Sequence, residues 1–461
     1  MTVMEGTDRQ EIVIIGGGII GCTTAYYLTR HPAYDPSKHS ITVIEATRIA
    51  GGASGKAGGL LAVWAYPNNI VPLSFKLHQD LAQEHGGEEN WGYRKVSCGN
   101  LEATGRGRNE LERLGGQAGM SLGKRSGEKG RKVTNGGRSA LPKDLDWILP
   151  DLIKGYEKMG GSKETAQVHP YQFTMAMIRL AEEQGVKVII GSVQAINYAE
   201  ASPSPTPITP PAEDNSYLSG PPSPALSSVS LGSFSSGRST RRKVKSVTYK
   251  DRETEEIHTI PSTTTILAAG PWTSKLYPSA PISGLRAHSV TITPASPVSA
   301  YALFTEITIP PTPPSPSYRY HSSRNIQAEP VSPEIYSRPN NEIYVCGEGD
   351  MEVEVPETTA DVEVDENRCD DLIAQVSSIS DHIRLGRVTR KQACYLPILS
   401  VGGHGGPLIG ETGTEGLLMA TGHSCWGINN APATGKLISE MVFDGKAISA
   451  DIGQLDPRRI L

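Results

Sequence analysis

No apolar run in this chain approaches the ~20 residues of a membrane-spanning helix, so no membrane span is expected. None of its six cysteines (Cys22, Cys98, Cys346, Cys369, Cys394, Cys425) stands in a CxxC pair, which argues against a zinc site or a disulfide framework; no metal is expected. An excess of one charge sign is missing too. The 44 Lys and Arg against 49 Asp and Glu leave a net charge of −5, which carries neither a nucleic-acid footprint nor a polybasic membrane patch. The amino end, Met1 to Gln10, is polar and has neither the basic start nor the cleavage site of a secretory leader. A soluble, reducing, cytoplasmic setting is the expectation. Apolar side chains are somewhat thin, at 37% without glycine. What abounds is glycine and proline, 49 and 34 residues of 461, about 18% together against a usual ~12%. The length suffices for two domains with real cores, so the composition reads as ordered sequence diluted by polar insertions.

Order begins at Ile12-Val13-Ile14-Ile15, a continuous β-branched run of the kind buried on both faces of a parallel sheet. Gly16-Gly17-Gly18-Ile19-Ile20-Gly21 follows at once, then a helical stretch over 22–30, a Pro-punctuated loop over 31–40 and a second strand over 41–45. That is a βαβ unit in the order the right-handed crossover rule favours. Later, Phe173, Met177, Leu180 and Ala181 recur at helical spacing, which predicts an amphipathic helix over 171–184 stopped by Gly185 and followed by a strand over 186–190.

Three stretches break this pattern. Residues 103–137 are rich in Gly, Arg and Lys with no interleaved aromatic, and read as a solvated loop rather than a nucleic-acid patch. Residues 201–240 are about half Ser and Pro, too polar to offset their ordering entropy; the strands over 193–198 and 243–249 look like one hairpin opened by this insertion. A second proline cluster occupies 310–316. Between Asp350 and Asp371 carboxylates abound, with Arg368 the only base, which reads as a solvated face without ligand geometry for a metal.

Chemistry enters with the glycines. Gly16, Gly18 and Gly21 supply a tight turn, close backbone approach to a pyrophosphate, and close helix–strand packing. Glu45 closes the second strand at the distance where a carboxylate accepts ribose hydroxyls, and it would repel a 2′-phosphate. The helix amino terminus adds N–H groups and partial positive charge.

Three further segments narrow the cofactor: Arg48-Ile49-Ala50-Gly51-Gly52-Ala53-Ser54-Gly55-Lys56-Ala57-Gly58-Gly59, Thr265-Ile266-Leu267-Ala268-Ala269-Gly270-Pro271-Trp272, and Gly422-His423-Ser424-Cys425-Trp426-Gly427. With the Gly16–Gly21 fingerprint they resemble, in order and across most of the chain, the D-amino-acid oxidase-like family of FAD-dependent oxidoreductases. The resemblance implies FAD as cofactor and an α/β fold: a Rossmann-like FAD-binding domain from 11–93, 173–276 and 394–461, with a mostly antiparallel α+β substrate domain from 94–172 and 277–393. It implies a cofactor set beginning with Gly16, Gly18, Ile19, Ile20 and Gly21, then Glu45, Ala46, Arg48, Ser54 and Lys56. Gly58, Gly59, Leu60 and Val193 follow, then Ala269, Gly270 and Trp272, and finally Gly422, His423, Gly427 and Ile428. Oxidation of a CH–NH bond in a small amine or amino acid, with oxygen as acceptor, is the implied reaction. A flavin-bound regulatory or trafficking protein with little turnover is the alternative.

The segments Gly284-Leu285-Arg286-Ala287-His288-Ser289, Glu334-Ile335-Tyr336-Ser337-Arg338-Pro339 and Gln392-Ala393-Cys394-Tyr395-Leu396-Pro397 look like a fungal branch associated with late endosome-to-Golgi traffic, which implies endosome association. Amino-acid-oxidising members place an Arg where this chain has Leu396, so a substrate carboxylate would need Arg338 or Arg286 instead. Cys394 stands where sarcosine oxidases tether flavin. His288, Arg338, Tyr395, His423 and Trp426 are the catalytic candidates.

Overall fold

The computed structural model describes residues 9–115, 141–200, 242–310, 330–401 and 406–461. Ile12 to Ile15 are each at most 3% exposed, and the reason lies in the pleat. Alternate strand residues point to opposite faces, so Ile12 and Ile14 enter the layer packed by the helix Ile19–Arg30, while Val13 and Ile15 enter the layer on the other side. The strand Gln10–Ile15 is central and runs parallel to His39–Glu45 on one side and Thr264–Leu267 on the other. Lys187–Glu200 and Leu417–Thr421 extend the parallel core outward, and antiparallel strands close both edges.

A second large sheet takes Arg387–Leu399, Ile282–Thr293, Glu342–Cys346, Glu334–Arg338, Tyr301–Thr308, Ser97–Thr104 and Ile153–Gly160 in that order. Its pairings are antiparallel except where Tyr301–Thr308 runs parallel to Ser97–Thr104. One face, with Val290, Ile292, Ile335, Ile343 and Val345, is covered by Cys369, Leu372 and Val376 of the helix Glu366–Ser377. The other face carries Ala302, Tyr336 and Tyr344 and packs on Leu60 from the first part of the chain. The fold is therefore α/β, a Rossmann-like unit joined to a mostly antiparallel α+β unit. Among the described residues no helix is long and apolar enough to cross a membrane.

Several boundaries differ from the sequence reading. The strands expected over 186–190 and 193–198 are one strand, Lys187–Glu200: its start pairs parallel with His39–Glu45, and from Gly191 it runs antiparallel to Arg242–Asp251, with an irregularity at Val193/Ala195. The opened hairpin is present at its stems, Glu200 facing Arg242; the 201–240 insertion lies outside the described residues. Residue 103 does not begin an insertion, because Ala103 and Thr104 finish a paired strand and a helix follows at Arg108–Gly115; residues 116–137 lie outside the described residues. Of 310–316 only Pro310 is described. The boundary expected at 394 falls inside the continuous strand Arg387–Leu399, which stays with the second sheet. The 350–371 stretch is not wholly a solvated face, since Asp350 is buried against Arg286 at 3.2 Å.

Candidate active site

The end of the central strand builds the first wall of a cavity of about 330 Å³. Gly16 sits at φ +114°, and a Cβ there would lie 2.4 Å from the Ala268 carbonyl oxygen; one on Gly21 would lie 2.0 Å from that of Gly16. Both glycines are dictated by protein packing. Gly18, which lines the cavity as Gly16 does, differs in that its Cβ position meets only Ser54 Oγ, at 3.1 Å. Ser54 Oγ also accepts from the Ile19 N–H at 2.8 Å. The N–H groups of Gly18 and Ile20 find no acceptor among the described residues, so the start of the helix Ile19–Arg30 presents free donors to the cavity.

Glu45, 9% exposed, ends the next strand and lines the same space. Its Oε2 accepts from the Gly17 N–H at 2.8 Å and its Oε1 from the Thr47 N–H at 3.0 Å and hydroxyl at 3.3 Å, which leaves a further lone pair on Oε2. Val193 reaches the cavity from the strand Lys187–Glu200, with Gly191, Ser192 and Gln194 beside it. Opposite, the chain leaves Thr264–Leu267 through Ala269, Gly270 and Trp272, all lining. Gly270 has φ +54° and no atom within 4 Å of its Cβ position; its carbonyl is tied by the hydroxyls of Thr273 and Thr421.

His423, Gly427 and Ile428 close the cavity at the start of the helix Gly427–Asp444. His423 is 3% exposed, and burial pushes its pKa down to about 3. Its Nε2 lies 3.1 Å from Thr434 Oγ1, whose proton goes to the Asn430 carbonyl. Nε2 is therefore the donor of a neutral ring, and Nδ1 keeps its lone pair.

Of the expected cofactor set, Ile19, Ile20 and Ala46 also line the cavity, whereas Gly21, Arg48, Lys56, Gly58, Gly59, Leu60 and Gly422 do not. Those seven shape its surroundings. Lys56 Nζ donates to the Ala393 carbonyl at 2.7 Å, a Cβ on Gly58 would strike the Tyr336 ring, and Gly59 at φ +90° abuts the Val168 carbonyl. Leu60 pairs with Gln167 across a small sheet. Arg48 is exposed, and Gly422 makes a turn at φ +77°.

Among the catalytic candidates, Tyr395 and His423 line the cavity and the other three do not. His288 faces away, its Nε2 accepting from the Asp365 N–H at 3.0 Å. Arg338 is committed to Glu342 at 2.9 Å and to the carbonyls of Ala57 and Gly58, with Tyr344 stacked on its guanidinium. Trp426 packs among aromatics beside the cavity. Arg286, the other stand-in cation, is paired with Asp350. Leu396 does line the cavity; among the described lining residues Lys275 is the one Lys or Arg, and it is bonded to Glu357 and the Pro356 carbonyl. Cys394 is buried off the cavity with its thiol pushed up to about 11 by burial, a protonated sulfur.

Sequence reasoning missed Glu357, Thr358 and Thr359, which reach over the cavity from the acidic stretch. Trp272 Nε1 donates to the Pro356 carbonyl at 2.7 Å, and Tyr395 OH donates to the Glu354 carbonyl at 3.0 Å, so the segment is strapped down. Its one local signal is the Thr358–Asp361 capping box, which gives a turn but not its place.

A Rossmann-like sheet whose strand ends surround a cavity with free helix N-terminal donors and a strand-end carboxylate defines a dinucleotide-binding protein. The comparisons with known proteins are specific. The family model described as FAD dependent oxidoreductase (DAO) matches residues 11–204 and 236–441, and the chain belongs to that family. It is an FAD-dependent oxidoreductase. It is 40% identical to the Saccharomyces cerevisiae protein named "Putative oxidoreductase TDA3", over 98% of this chain and 94% of the relative. It is 31% identical to the Schizosaccharomyces pombe "Putative oxidoreductase C1F5.03c", over 98% of each chain. Among solved structures it shares the fold of glycine oxidase from Geobacillus kaustophilus, with a TM-score of 0.61 at 16% identity over 98% of this chain and 99% of that one.

Proposed function

We propose that the chain oxidises a CH–NH bond of a small amine or amino acid, with oxygen taking the electrons. One observation carries the reading: the free Gly18 and Ile20 N–H groups, the Glu45 carboxylate and the start of the helix Gly427–Asp444 bound a single cavity. Its fit to FAD rests also on Gly270 and Gly427. Both line the cavity, and a Cβ would meet no protein atom within 4 Å at the first and only the His423 Cβ, at 3.7 Å, at the second.

In this reading the Gly18–Ile20 turn holds the pyrophosphate, Glu45 accepts ribose hydroxyls, and the backbone of Gly191–Gln194 borders the adenine. Ala269, Gly270 and Trp272 would border the diphosphate and ribityl chain, and His423, Gly427 and Ile428 the ring system. Bound there, FAD supplies the two-electron acceptor for a substrate that loses a hydride from carbon and a proton from nitrogen to become an imine. The N-terminal amides of the helix Gly427–Asp444 favour negative charge at the edge they face. His423, neutral and anchored to Thr434, orients through its Nδ1 acceptor and brings no positive charge. Anaerobic addition of amines and amino acids to the purified protein tests the reading. Bleaching of the flavin's visible band by members of the panel supports it, and an unchanged band across the panel contradicts it.

A further inference from the structure

Beside the cavity, past Ser424 and Cys425, the faces of the two units meet in a set of aromatic rings. Trp64 lies edge-on to Trp426 with centroids 5.6 Å apart and to Phe304 at 6.2 Å; Phe304 in turn is edge-on to Tyr336 at 6.3 Å. Tyr66 adds a further ring against Trp426 at 6.0 Å. Trp64 and Tyr66 remain 37% and 46% exposed, so the set is open to solvent.

Into this set projects one carboxylate. Glu334 stands opposite Phe304 in the sheet register and two residues from Tyr336, on the same face. It accepts from the Tyr336 hydroxyl and lies 3.7 Å from Cys346 Sγ, and burial raises its carboxyl above the usual range. Among the described residues no Lys or Arg pairs with it. Asp350 is answered by Arg286, Glu342 by Arg338 and Glu440 by Lys436, while Glu45, also without a cation among the described residues, accepts from the Gly17 and Thr47 N–H groups. A carboxylate withdrawn from water without a counter-charge is costly, and aromatic faces add attraction for a cation but none for an anion. Among the described residues the cavity wall, with Leu396 and the committed Lys275, offers no free cation for a carboxylate.

We propose that this aromatic box, closed by Glu334, binds an organic ammonium, and that the substrate is accordingly an amine without an α-carboxylate. This deepens the amine-oxidation reading and rests on it.

Calorimetric titration of the FAD-loaded protein with benzyltrimethylammonium and, separately, benzoate tests it, because the two probes differ in charge at similar size. The cation is expected to bind at least ~10-fold tighter than benzoate, and Glu334→Gln to remove that preference. Equal or tighter benzoate binding by the unaltered protein overturns the proposal, whether or not the variant folds; so does unchanged cation affinity in a folded Glu334→Gln protein. Anaerobic flavin reduction separates this result from the broader reading. Cation binding with no bleaching by any amine or amino acid upholds the box and contradicts oxidation, whereas bleaching by amino acids without cation binding upholds oxidation and overturns the box.

Discussion

The glycines of the Gly16–Gly21 turn do unlike work, and their separation is a residue-scale prediction. Gly21→Ala places a methyl group 2.0 Å from a backbone oxygen, a clash that only backbone movement relieves. It should lower the stability of the cofactor-free protein by ~1–3 kcal/mol in chemical denaturation. Gly18→Ala meets a single hydroxyl at 3.1 Å and otherwise fills cavity space. It should leave cofactor-free stability nearly unchanged while weakening FAD binding by at least ~10-fold; equal losses for the two variants would contradict the assignment. Cys394 gives a second residue-scale expectation. A protonated thiol off the cavity forms no thioether, so acid precipitation should release all flavin into the supernatant, and colour retained in the pellet would overturn this. The glycine fingerprint and Glu45 were legible in the sequence because each is demanded by local backbone geometry. Glu334 was not, since its role arises only when Phe304, Tyr336 and Trp64 come together from distant segments.

At the scale of elements, the helix Gly427–Asp444 contains Pro432, which lacks the N–H that the Ile428 carbonyl would ordinarily accept. His78 Nε2, from the helix Val71–Glu84, lies 2.9 Å from that oxygen and takes its place. Burial pushes His78 down to about 4, so the ring is neutral and donates from Nε2 while its Nδ1 stays unpaired. His78→Phe keeps a ring but orphans a buried carbonyl at the wall of the cofactor cavity, and should cost ~1–3 kcal/mol in urea unfolding; no loss would contradict the account. Gly427 and Ile428 are expected at the cofactor from the resemblance, and the structure starts a helix there. What permits the proline was hidden, because the compensating donor stands 350 residues away.

For the whole molecule, two buried histidines and the half-buried His169 set the acid limit. His78 and His169 are held down to about 4 and His423 to about 3, in each case chiefly by burial. The unfolded chain therefore binds more protons than the folded one below the ordinary value of 6.5, and stability must fall as pH drops from there toward 4. Each group costs about 1.4 kcal/mol per pH unit until it protonates. Glu334, raised by burial, works in the opposite direction but is one group against three. The denaturant midpoint should be clearly lower at pH 5 than at pH 7.5, and an unchanged or higher midpoint would contradict these protonation states. At this scale the parallel core was legible in the Ile12–Ile15 run and in the strand–glycine–helix order. The strap of Glu357–Thr359 over the cavity was not, because acidic residues on the surface and acidic residues crossing a binding site have the same local pattern.

The central claim is that one cavity holds FAD and delivers a small amine to it. Anaerobic titration of the purified, FAD-loaded protein with such an amine, followed in the flavin's visible band, tests this most directly. The account predicts a yellow protein whose band is lost on amine addition and returns when oxygen is admitted. A folded protein that stays colourless after incubation with FAD, or a band that no amine or amino acid alters, would contradict it.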